Sequence, residues 1–137
     1  MTQEDKELLL KDLSARLPYE VKVQYNNEIY NVDYISVLYE EVKLDIPDNY
    51  TVGISEIKPY LRPMSSMTEE EKVEYYNTMD KETQRNYPNS CDFSESVYYS
   101  NTIKTFDWLN EHHFDYRGLI PKGLAIAVTE ENNPYKE

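Results

Sequence analysis

The chain has 137 residues, about one domain's worth, and its 26 acidic side chains outnumber 14 basic ones for a net charge of -12, which disfavours nucleic acid and anionic membrane surfaces as partners. Hydrophobic residues make up 39% and aromatic residues 13%, a globular balance, yet no apolar run approaches the roughly 20 residues that span a bilayer. A single cysteine, Cys91, can build neither an internal disulfide nor a CxxC zinc site, so a reducing, cytoplasmic setting is expected.

Thr2 and Asp5 have the spacing of a capping box, and Leu9, Leu10, Leu13 and Leu17 recur at helical intervals, which predicts an amphipathic N-terminal helix ended by Pro18. From Glu20 the period changes to two. In "VKVQYNNEIYNV" the Asn26-Asn27 pair suits the left-handed conformations of a tight hairpin, which would set Tyr25 opposite Glu28, Val23 opposite Tyr30 and Val21 opposite Val32. Alternation resumes through Val42, Leu44 and Ile46, "PDN" at 47–49 reads as a type I turn, and "YTVGI" can return as another strand.

Two prolines in "IKPYLRPMSS" favour extended chain, so residues 58–66 are expected to connect a sheet part (1–57) to a mainly helical part (67–129) of a single domain. Thr68 and Glu71 form a second capping box, opening a helix expected to reach about Gln84 with Val73, Tyr76 and Met79 buried. After the loop "RNYPNSCDFS" a third helix is expected to end near His113, with Tyr99, Ile103, Phe106 and Asn110 or His113 along one side. The tail from Glu130 to Glu137 reads as polar and frayed. The expected fold class is α+β: an N-terminal helix, a small antiparallel sheet able to curl toward a barrel, and a helical C-terminal half.

Chemistry has few footholds. Both histidines, the only tryptophan and two of three glycines fall in "WLNEHHFDYRGLIPKGLA". Adjacent histidines on a helix diverge by about 100°, so His112 and His113 cannot readily share a metal; His112 with Asp115 is the nearest approach to a ligand set. The same block reads better as a structural corner, with Trp108 supplying bulk, Asp115 accepting backbone hydrogen bonds and Gly118 permitting a positive φ. Cys91 lacks the helix start or cationic neighbour that would activate a thiol. The glycines Gly53, Gly118 and Gly123 make no phosphate loop. No catalytic residue, cofactor or metal is therefore expected.

"IKPYLRPMSSMTEEEK" and "FDWLNEHHFDYRGLIPKGLA" resemble an uncharacterised small protein family of gut Bacteroidetes and their phages or mobile elements. The resemblance implies an intracellular accessory protein and carries no catalytic residue. With 14 tyrosines and an acidic balance, the function expected is a non-enzymatic protein-protein interaction module with an unknown protein partner. The alternatives are an acidic DNA-mimic inhibitor of a nuclease or restriction factor and, third, a small hydrolase or metal enzyme. Oligomeric state is left open.

Overall fold

Thr2 closes the first helix as its spacing with Asp5 demands: the hydroxyl accepts from Asp5 N–H at 3.1 Å, and the Asp5 carboxylate accepts from Thr2 N–H at 3.3 Å. The computed structural model describes residues 1–47, 51–79 and 103–136. They form two compact units, residues 1–61 with 117–137, and residues 62–116.

In the first unit, helix α1 (Gln3–Arg16) buries Leu9, Leu10 and Leu13. The same face buries Asp12 and Arg16, which the leucine periodicity does not reveal. Their side chains are 0% exposed and joined at 2.7 Å (Nε to Oδ2) and 3.1 Å (Nη2 to Oδ1). A charge can enter a core only with such a partner.

The sheet runs β4-β3-β2-β1-β5-β6, with β1 Lys22–Tyr25, β2 Glu28–Ser36, β3 Glu41–Leu44, β4 Val52–Gly53, β5 Lys58–Leu61 and β6 Ile126–Ala127. It is open, not a closed barrel, and all its pairings are antiparallel except β5 with β6. Asn26 (φ 51) and Asn27 (φ 64) are both left-handed, and the register set by that turn places Tyr25 opposite Glu28 and Val23 opposite Tyr30. Val21 accepts from Val32 N–H at 3.4 Å, in the same phase.

The β2–β3 ladder shifts between Val32 and Tyr34. The extra residue, Asp33, lets Val32 and Ile35 both turn inward although they lie three apart, while Asp33 and Tyr34 face solvent. Val23 faces Pro59 across β1–β5, and the ladder phase directs Val23's own polar groups to Tyr30. Pro59 is therefore asked for no donor on that side. Residues 58–61, expected as connector, are for this reason a buried strand of the sheet.

Residues 117–136, expected to lie in a mainly helical part and a frayed tail, carry no helix. From Arg117 the chain belongs to the sheet unit, burying Leu119, Leu124 and Ala125 before β6. The tail expected to fray is tied down: the Tyr135 hydroxyl accepts from Lys22 N–H at 3.0 Å and donates to the Tyr60 carbonyl at 2.8 Å.

The second unit has its own core of Met67, Tyr75, Met79, Leu109 and Phe114. Helix α2 (Glu69–Asn77) begins at the Thr68–Glu71 box but stops short of Gln84, since Thr78 caps it with N–H and hydroxyl bonds to the Tyr75 carbonyl. It buries Tyr75, with Met79 buried just past its end and Val73 60% exposed, because a two-turn helix with apolar residues on several sides is oriented by its neighbours. Helix α3 (Ile103–Glu111) likewise buries Thr105 and Leu109 and leaves Ile103 in solvent. Thr105 earns that position by donating to the Thr78 carbonyl at 3.0 Å. Most of "PDN" and all of "RNYPNSCDFS", with Cys91 and Tyr99, lie outside the described residues.

Candidate interaction surface

Strands β2 and β3 are joined by Val37, Leu38, Tyr39 and Glu40, a four-residue loop whose last member is left-handed (φ 54). The loop is held from three directions. Ser36 Oγ accepts from Tyr39 N–H at 3.3 Å, the Glu40 carbonyl accepts from Ile54 N–H at 2.9 Å, and Gln3 of α1 donates to the Glu40 carboxylate at 3.1 Å. On this braced loop Val37, Leu38 and Tyr39 are 63%, 81% and 71% exposed. Fully burying each such side chain would be worth roughly 1.5–3 kcal/mol, which the fold forgoes. Tyr34 on the outer face of β2 is also exposed. The tyrosines thus divide, Tyr60 and Tyr75 serving the cores and Tyr34 and Tyr39 the surface.

Val37 also borders a groove of about 410 Å³. One face of α1 supplies Glu7, Leu10, Lys11 and Ser14, at spacings of three and four, and Arg117 completes the lining. Leu10 and Val37 form its apolar part. Arg117 Nε lies 3.6 Å from Asp12 Oδ1, but that carboxylate already holds Arg16. The groove lining thus holds two cations, Lys11 and Arg117, and one carboxylate, Glu7.

The histidine block has a different character. His113 takes the left-handed position (φ 63) that follows α3: its N–H donates to the Asn110 carbonyl at 3.1 Å and Phe114 N–H to the Leu109 carbonyl at 3.0 Å, a Schellman termination. His112 lies over Trp108 with ring centres 4.2 Å apart, donates from Nδ1 to the Trp108 carbonyl at 2.9 Å, and sets Nε2 4.0 Å from Glu74. Trp108 is half-buried and also stacks with Tyr75 (5.7 Å) and Phe114 (5.6 Å). Asp115 is buried, and its N–H donates to the Arg62 carbonyl at 2.8 Å. Gly118 (φ 74) opens the returning segment. His112, His113 and Asp115 are not brought together as ligands: among the described residues no group of three or more His, Cys, Asp or Glu side chains is placed to hold a metal.

Arg62 is the residue that sequence reasoning passed over. Its guanidinium makes a two-pronged pair with Glu71, at 2.7 and 2.6 Å, and lies 4.2 Å from the Phe114 ring centre. Its backbone donates to the His113 carbonyl at 2.7 Å. Burial alone pushes the Glu71 carboxyl up, but the hydrogen bonds from Arg62 and Thr68 and the Arg62 charge outweigh it, leaving Glu71 below the ordinary carboxylate value. The visible signal was the Thr68–Glu71 box; nothing local marks the partner nine residues away.

No helix among the described residues is long and apolar enough to cross a membrane. No protein-family model, curated protein or solved structure matches the chain.

Proposed function

We propose that the chain is a non-enzymatic protein-protein interaction module that meets its partner with the β2–β3 hairpin tip. The observation that supports this is three consecutive large apolar side chains, Val37, Leu38 and Tyr39, held in solvent on a braced loop. Isolated exposed leucines are ordinary, but a contiguous apolar projection on a strongly acidic protein is a feature of contact surfaces. A tyrosine beside two aliphatic side chains supplies contact area at low entropic cost.

The test is affinity capture from the native host with quantitative mass spectrometry, comparing the native chain with a Leu38→Asp, Tyr39→Asp variant. Neither side chain is part of a core, so the variant keeps its melting temperature. A specific partner is expected to be retained by the native chain and depleted about 30-fold or more by the variant, the effect of losing an interface anchor worth roughly 2 kcal/mol. Equal retention by both chains would exclude the tip as the contact.

A further inference from the structure

Resting on that reading, we infer that the groove beside the tip receives an acidic, apolar segment of the partner protein: one apolar side chain against Leu10 and Val37, and a carboxylate against Lys11 and Arg117. Three observations lead there. Val37 belongs to both the tip and the groove, so a partner engaging one reaches the other. The lining pairs an apolar floor with two cations and a single carboxylate, Glu7. In a chain of net charge -12, a groove lined by two cations and one carboxylate departs locally from the overall sign.

Charge complementarity selects among occupants. A phosphate backbone offers the cations an anion but nothing for Leu10 and Val37. A carboxylate next to an apolar residue satisfies both parts of the groove. The distant acids of the chain do not cancel this, because charges beyond about 8 Å are largely screened at physiological salt. Arg117 is preoriented by Asp12, and Asp12 is fixed by the buried Arg16, so the cation on the rim loses little freedom on binding.

The probe is a random peptide library panned against the immobilised full chain, with bare support as control, followed by anisotropy titration of the consensus peptide. The expected consensus places Asp or Glu within one helical turn of a large apolar residue. Lys11→Glu and Val37→Asp should each weaken that peptide about tenfold or more without lowering the melting temperature, and Arg117→Gln should weaken it in the same direction. A peptide that loses affinity with Lys11→Glu but not with Leu38→Asp, Tyr39→Asp supports the groove and counts against the tip. The reverse pattern leaves the tip reading intact and overturns the groove. A basic consensus, or no enrichment over bare support, also overturns it.

Discussion

His113 is asked to do what a glycine usually does. Its φ of 63 sits in the region where a Cβ meets the following carbonyl oxygen, at a cost of roughly 1–2 kcal/mol, although histidine enters it more readily than most residues. His113→Gly is therefore expected to raise the unfolding free energy by up to about 1 kcal/mol, and His113→Val to lower it by roughly 1–2 kcal/mol, both read by urea denaturation. The same conformation at Asn26 and Asn27 was legible from sequence, because an Asn-Asn pair between two alternating runs is a recognised hairpin signal. At His113 the residue type carried no such signal. The sequence placed a helix end here, but it assigned the special backbone to Gly118, which has it too (φ 74), and missed the residue that terminates α3.

The helix pair α2 and α3 shows what local pattern can and cannot specify. The capping boxes at Thr2 and Thr68 are relations over three residues and form as read. Which face of α2 is buried depends on residues far along the chain, so Val73 was taken for core where Tyr75 is. The Arg62–Glu71 pair belongs to the same class, and it contributes to the acid limb of stability. Glu71 is depressed below its ordinary value of 4.5, so its contribution is present above that pH and is lost as pH falls through the lower folded value. Arg62→Ala is expected to cost about 2 kcal/mol at neutral pH, since Glu71 loses its counter-charge in a largely buried setting. Glu71→Gln should flatten the decline below pH 4.5 in denaturation curves recorded against pH.

Across the whole chain, the α+β composition and the first hairpin were readable, because both rest on periodicity and turn chemistry. The open edge of the sheet, the strand at Lys58–Leu61 and the anchored tail were not, since each depends on residues from opposite ends of the sequence. Tyr135 is the clearest case, a tail residue 113 positions from the Lys22 amide it receives. Burial pushes its phenol up to about 12. The stability it contributes is complete below the ordinary tyrosine value of 10.0 and is lost as pH rises toward 12. Tyr135→Phe should cost roughly 1–3 kcal/mol at pH 7 by leaving the Tyr60 carbonyl and Lys22 amide without that partner, and should weaken the decline between pH 10 and 12. The Asp33 bulge has a different kind of consequence. It sets the phase of β2 before the chain reaches Val37, so residue identity at the tip and residue number in the strand answer to separate constraints. Substitutions at Val37, Leu38 and Tyr39 can accumulate without disturbing the core, whereas deleting Asp33 would remove the bulge that re-aims β2 on its way to the tip. Point substitution in that loop is therefore cheap for the fold, which takes no core residue from it.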